Sequence, residues 1–190
     1  MCFGRTIMRN LIKNEQSGRS MVEMLGVLAI IGVLSVGGIS GYSKAMAKFK
    51  LTKAQDQLSM MLMNIRTAFS GSSNYEGLTN AAAIQLNIIP GDMLPSGIGK
   101  TSGKVINAFS GSVTVTAASS NQHFTIEFGG LGVETCTSLA SSDWGTEGLV
   151  SIAINGKTAH NQANLPIKAT TAVKECDQAN SANVIKWEYY

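Results

Sequence analysis

Residues 18–42 read GRSMVEMLGVLAIIGVLSVGGISGY, and the fold of this 190-residue chain turns on them. From Met21 to Tyr42 the run is apolar except for Glu23, and a basic segment, MCFGRTIMRNLIKNEQSG, precedes it. About 20 apolar residues span a hydrocarbon core of roughly 30 Å. An ionised carboxylate inside that core is costly unless something pairs with it, so Glu23 is a functional candidate. The plainer reading is a signal anchor whose Glu23 reaches back to the interface. A cleaved secretory signal fits poorly: its apolar part runs for about 7–15 residues and ends at a small-x-small site. Flanking charge does not choose a topology, because Arg5, Arg9, Lys13 and Arg19 on one side balance Lys44, Lys48, Lys50 and Lys53 on the other.

Beyond Tyr42 the helical pattern continues. Leu51, Ala54, Leu58, Met61, Ile65 and Ala68 alternate spacings of three and four, and Phe49, Leu62 and Phe69 widen the stripe. No proline lies between Met1 and Ile89, and no glycine between Gly41 and Gly71. One continuous helix over 20–70 is therefore expected, about 75 Å long at 1.5 Å per residue. Its stripe either packs on a C-terminal domain, leaving the opposite face for other helices, or forms a coiled coil. Gly37 and Gly41 have the GxxxG spacing that lets helices approach closely in lipid, a pattern also common by chance. Each glycine weakens a helix by about 1 kcal/mol relative to Ala, so local unwinding at 37–41 is a hypothesis here.

After Ser70 the composition shifts to Gly, Ser, Asn and Thr, marking a globular domain over 71–190. A short helix is expected at Thr79–Leu86, stopped by Pro90, and turn chemistry at Ile89–Asp92 and Pro95–Gly97. Alternation marks strands at Ser112–Thr116 and His123–Phe128; Leu149–Ile154, running into the Asn155-Gly156 turn, and the closing Val184–Tyr190 are further strand candidates. Helices are expected at Val133–Ala140 and Thr170–Ala179. Antiparallel strands packed on a long helix make an α+β fold.

The domain carries two cysteines, Cys136 and Cys176, while Cys2 lies in the basic leader. An even count favours a disulfide if the domain is exported, against two unpaired buried thiols. His123 and His160 lack metal-ligand spacing with them and have no evident nucleophile partner. Asp143-Trp144-Gly145 reads as a turn, with Trp144 packed or exposed. Neither a phosphate-binding glycine motif nor a metal box is present, so no enzyme, cofactor or metal is expected. The net charge of +3 suggests no nucleic-acid partner.

Gly18-Arg19-Ser20-Met21-Val22-Glu23-Met24-Leu25 ahead of an apolar helix resembles the cleavage motif of type IV pilins and type II secretion pseudopilins. The resemblance implies a prepilin peptidase cutting after Gly18, a mature chain starting at Arg19, and Glu23 as its fifth residue. Glu23 would then pair with the terminal amine of a neighbouring subunit, two charges offsetting each other's desolvation. The family usually starts with Phe, Met or another apolar residue, and Arg19 departs from that, which bears on N-methylation. Phe124 to Leu131 with the Cys-bearing segment after it, Pro90 to Gly97, Cys176 and the closing Asn183 to Trp187 resemble type IVb pilins in particular. The Cys136–Cys176 segment would correspond to that family's exposed, variable edge.

The resemblance implies a pilin fold in three parts: a leader over 1–18, a long helix over 19–70 (apolar 21–42, amphipathic 43–70) and a domain over 71–190. It implies a major pilin that polymerises with itself through helix residues such as Gly37, Gly41, Leu51, Leu58 and Ile65. Expected partners are the peptidase, the inner-membrane assembly platform and its ATPase machinery. The expected location is the bacterial inner membrane as precursor, then an extracellular surface pilus. A minor pilin or pseudopilin, and a membrane-anchored binding domain, are the alternatives.

Overall fold

The structure, a computed structural model, describes residues 21–96, 103–145 and 147–190. The leader, Gly18 and Arg19 lie outside the described residues, as does Gly97. Helix α1 occupies Met21–Ala68, 48 residues without a break, close to the expected 20–70. The chain forms two compact units divided within α1, Met1–Lys44 and Ala45–Tyr190. In the first, every described residue is exposed. It holds the apolar part of a helix long and apolar enough to cross a membrane, by length and composition.

In the second unit, the latter part of α1 packs into one core with a six-stranded antiparallel sheet. The strands are β1 (Val105–Ile106), β2 (Ser112–Ala118), β3 (His123–Leu131), β4 (Leu149–Ile154), β5 (His160–Asn161) and β6 (Asn183–Tyr189), in the order β1-β2-β3-β6-β4-β5. The last strand is thus inserted in the middle, between β3 and β4. Period-two alternation puts Val113, Val115, Phe124, Ile126, Phe128, Ile152, Ile154, Ile185, Trp187 and Tyr189 in the core. Ala54, Leu58, Met61 and Ile65 of α1 join them, so the helical stripe meets its own domain. Leu51 is half-buried against that core, as are Leu62 and Phe69.

Two members of the expected stripe fall outside it. Phe49 is 61% exposed. It lies nine residues before Leu58, about half a turn away at roughly 100° per residue, and so faces the other side. Ala68 is exposed at the stripe's edge in the last turn. On the far face Met60 and Met63 are exposed as well.

Short helices complete the domain: α2 (Asn80–Gln85), α3 (Val133–Ala140) and α4 (Ala169–Glu175). Thr79 caps α2 by accepting from the Ala82 N–H. Pro90 is not its stop. Asn87 takes φ 53°, and the Asn87 and Ile88 N–H groups donate to Ile84 and Ala83 carbonyls, a Schellman ending. Helix α4 ends at Glu175, four residues before the expected Ala179. There the Asn155 amide and the Lys157 ammonium both donate to the Glu175 carbonyl, closing its last turn. The sequence pattern carried no signal for β1 and β5, each two residues long.

A register shift between Phe128 and Leu131 lets β3 run past its expected end. Glycine is required there, because Gly111 lies directly against the Gly129 carbonyl and Gly130, and Gly130 takes φ +71°. The Asn80 side chain closes the open edge of β2, donating to the Val113 carbonyl at 2.7 Å and accepting from the Val115 N–H at 2.7 Å.

Candidate functional site

Glu23 sits in the first described turn of α1, exposed among Met21, Val22, Met24 and Leu25. The helix passes without interruption through Gly37, Gly38 and Gly41, so the hypothesised unwinding is not seen in this state. A Cβ added at Gly26, Gly32, Gly37, Gly38 or Gly41 would meet nothing within 4 Å. Close approach at these glycines therefore has no occupant among the described residues. Of the helix-packing candidates, Leu58 and Ile65 are buried in the domain core and Leu51 half-buried against it. Gly37 and Gly41 belong to the exposed apolar unit.

Cys136 of α3 and Cys176, just past α4, form a disulfide with 5.9 Å between their Cα atoms. It closes the segment that also carries β4, β5 and the Asn155-Gly156 turn. That segment is clasped to the sheet by two asparagines. The buried Asn183 donates to the Leu131 carbonyl at 3.0 Å and the Gln178 carbonyl at 2.9 Å. Its Oδ1 accepts from Asn155 Nδ2 at 2.9 Å. At Asp143-Trp144-Gly145 the Gly145 N–H donates to the Asp143 side chain at 2.9 Å, a side-chain closure without a backbone turn. Trp144 packs: its ring meets Trp187 edge-on at 5.4 Å, and its Nε1 donates to the Leu139 carbonyl.

Each histidine faces a glutamate. His123 Nδ1 lies 2.8 Å from Glu188 and His160 Nε2 2.8 Å from Glu175. Ser119 and Ser151 donate to Glu188, so their hydroxyls serve the carboxylate and not the imidazole. Burial pushes the Glu188 carboxyl up, but the bonds from His123, Ser119 and Ser151 outweigh it and leave it below the usual range. Burial pushes the Tyr189 hydroxyl up to about 12, against the nearby Arg66 charge. Among the described residues, no group of three or more His, Cys, Asp or Glu side chains is placed to hold a metal.

Sequence reasoning missed a polar bridge that fixes α1 on the domain. Gln57 is only 3% exposed. Its amide donates to Asp92 at 2.9 Å and accepts from the Ala108 N–H at 3.0 Å. Lys53 pairs with the same Asp92 oxygen at 2.9 Å. Burial raises the Asp92 carboxyl, yet bonds from Lys53 and Gln57 and the Lys53 charge hold it below its ordinary value. Asn107, also 3% exposed, donates to the Gly129 carbonyl and accepts from the Phe109 and Gly111 N–H groups. A glutamine beside a helical stripe and an asparagine ahead of a turn were the available signals, but neither names a partner.

A long apolar N-terminal helix, an antiparallel sheet packed on the helix's latter part, and a disulfide-bounded segment define a type IVb pilin fold. The chain belongs to the PilS N-terminal family, whose model matches residues 49–188. It is similar to the toxin coregulated pilin of Vibrio cholerae serotype O1, 30% identical over 137 residues, 68% of this chain and 59% of that protein. The chain thus spans a little over half the length of that relative. It is similar in fold to the crystal structure of a type IVb pilin from Salmonella typhi: TM-score 0.56, 26% identity, 75% of this chain and 98% of that one. A crystal structure of TcpA, a type IV pilin from the El Tor biotype of Vibrio cholerae, aligns with TM-score 0.47 and 17% identity over 74% of this chain and 99% of that one.

Proposed function

We propose that this chain is the major subunit of a type IVb pilus, made as a precursor, cut after Gly18 by a prepilin peptidase, and polymerised through its apolar helix. One observation carries the reading: every described residue of the apolar unit is exposed, while the buried core residues among those described lie at Ala54 or beyond. A lipid bilayer covers such a surface first, and the same segments of neighbouring subunits cover it afterwards. The parts of the precursor are then a leader over 1–18, an assembly helix over 19–70 and a domain over 71–190. An inner-membrane platform and its ATPase would draw the subunit from the bilayer into a surface fibre.

In this reading Glu23 is the register device. After cleavage the α-amino group of Arg19 carries a positive charge, and Glu23 of an incoming subunit pairs with it. Either charge alone in an apolar surround is penalised, so only the correct axial offset satisfies both. The Arg19 guanidinium adds a second cation at the same end. Glu23→Ala is expected to leave the protein made and membrane-inserted while sheared-fibre yield drops at least about tenfold, as for a pair worth more than about 1.4 kcal/mol. Electron microscopy and N-terminal sequencing of sheared fibres test both halves. Normal fibre yield from Glu23→Ala would overturn the pairing. Fibres in which this chain is only a trace component would make it a minor pilin.

A further inference from the structure

We propose that Asn155 is a latent deamidation site, held unreactive by a hydrogen-bonded clasp, whose conversion to aspartate loosens the disulfide-bounded segment from the sheet. Asn155 and Gly156 take φ 52° and 68°, and the Lys157 N–H donates to the Ile154 carbonyl at 2.9 Å, a tight turn closing β4. Asparagine before glycine is chemically the most exposed arrangement for this reaction, because nothing shields the following amide nitrogen. Gly156 is itself exposed, and a Cβ there would meet nothing within 4 Å.

The reaction uses only water. The Gly156 amide nitrogen, losing its proton, attacks Asn155 Cγ; the N–Cγ bond forms, the Cγ–Nδ2 bond breaks, and ammonia leaves with that proton. Water then opens the five-membered imide at either carbonyl, giving aspartate or its β-linked isomer. One water is consumed, one ammonia released, and no oxidation state changes.

The clasp opposes the first step. Nδ2, the departing group, donates to the Glu175 carbonyl at 2.7 Å and to Asn183 Oδ1 at 2.9 Å. Oδ1 accepts from the Val184 N–H at 2.8 Å. Swinging Cγ toward the Gly156 nitrogen requires these bonds to open together, so the folded chain should react roughly 10- to 100-fold more slowly than the unfolded one.

Once made, the product does not fit the clasp. An aspartate at 155 has no Nδ2–H to donate, and its charge would face the Glu175 carbonyl, Asn183 Oδ1 and the Asp177 carboxylate, 3.4 Å from Nδ2, with the Lys157 ammonium, already engaged by Glu175 and Asp177, as the cation beside them. Asn183 is fully buried and holds Leu131 and Gln178, so the disturbance reaches the start of β6. Two restraints keep it local: Lys157 bridges Asp177 at 2.7 Å, and the Cys136–Cys176 disulfide tethers α4 to α3. The expected result is a loosened edge, with the sheet intact.

The test uses the full chain in detergent micelles at mildly alkaline pH, followed by peptide mapping with mass spectrometry. Deamidation at Asn155 should run roughly 10- to 100-fold slower than in the same protein reduced and unfolded in guanidinium. Equal rates would overturn the clasp. Asn183→Ser should bring the folded rate toward the unfolded one. Independently of that variant's folding, hydrogen exchange on Asn155→Asp should speed up over 169–184 by roughly tenfold while β2 and β3 keep their protection. Unchanged exchange over 169–184 would overturn the proposed consequence.

Discussion

Replacing Gln57 by alanine tests the polar bridge that seats α1 on its domain. The substitution removes a bond to the Asp92 carboxylate and one from the Ala108 N–H, at a site 3% exposed. A hydrogen bond to a charged group contributes about 1.5–3 kcal/mol and a neutral one about 0.5–1.5. The Asp92 side chain is 43% exposed and keeps its Lys53 partner, so solvent screening discounts the charged bond toward its lower end. The expected loss is about 2–3 kcal/mol. At 2–4 °C per kcal/mol for a domain of about 150 residues, that is a drop in melting temperature of roughly 4–12 °C. The near-ultraviolet circular dichroism of the packed Trp144–Trp187 pair is the readout, since the apolar part of α1 stays helical in detergent. Gln57→Glu sharpens the test. It retains an acceptor for the Ala108 N–H but sets a second carboxylate against Asp92, so it should be destabilised at neutral pH and recover as the pH falls toward about 4. A Gln57→Ala melt within about 1 °C of the parent, or a Gln57→Glu deficit that does not change with pH, would refute the reasoning.

Three further outcomes follow from the same structure. Replacing Cys136 and Cys176 by serine reopens a separation of 40 residues and should cost about 4 kcal/mol in the chain-entropy model; a denaturant midpoint unchanged from the oxidised parent would contradict it. Asp92 and Glu188 titrate below their ordinary values of 3.8 and 4.5, so their contribution is complete above those values and fades as the pH falls through the folded ones. Melts should therefore show acid destabilisation beginning below about pH 4.5, and Glu188→Gln should flatten part of it. Tyr189 has the opposite sign: with its hydroxyl raised from 10.0 to about 12, stability is present below 10 and declines as the pH rises through about 12. Tyr189→Phe should remove that alkaline decline.

Elements with long, regular periods were legible in the sequence. Ala54, Leu58, Met61 and Ile65 of α1 stand where spacing put them, because burial along one face leaves a period that a single chain displays, and β4 and α3 have their expected bounds. Phe49 falls off the stripe because the two-residue step from it to Leu51 turns a helix by about 200°. The edge strands β1 and β5 were invisible, since two residues carry no period. The ends of α2 and α4 depend on Asn87 in a left-handed conformation and on capping by Asn155 and Lys157 from a distant turn. Likewise Gln57 lies 35 positions from Asp92 and 51 from Ala108, and nothing in local composition pairs them. Glu23 was legible as a candidate because a lone acid in an apolar run has no local explanation; its role stays with the proposed neighbour.

The two faces of α1 in the domain argue for what the helix does next. Leu58, Met61 and Ile65 are committed to the domain's own core. On the opposite side Phe49, Met60 and Met63 remain 61%, 56% and 67% exposed. Burying a side chain of that size contributes about 1.5–3 kcal/mol, so a chain built to remain in water would gain little by keeping them. Methionine suits a surface that meets similar helices at several offsets, because its unbranched thioether fills irregular gaps. In the proposed fibre these residues would supply non-directional attraction, which holds over a range of axial shifts. An ion pair at Glu23 would then add what such a surface lacks, a contact satisfied at one register only.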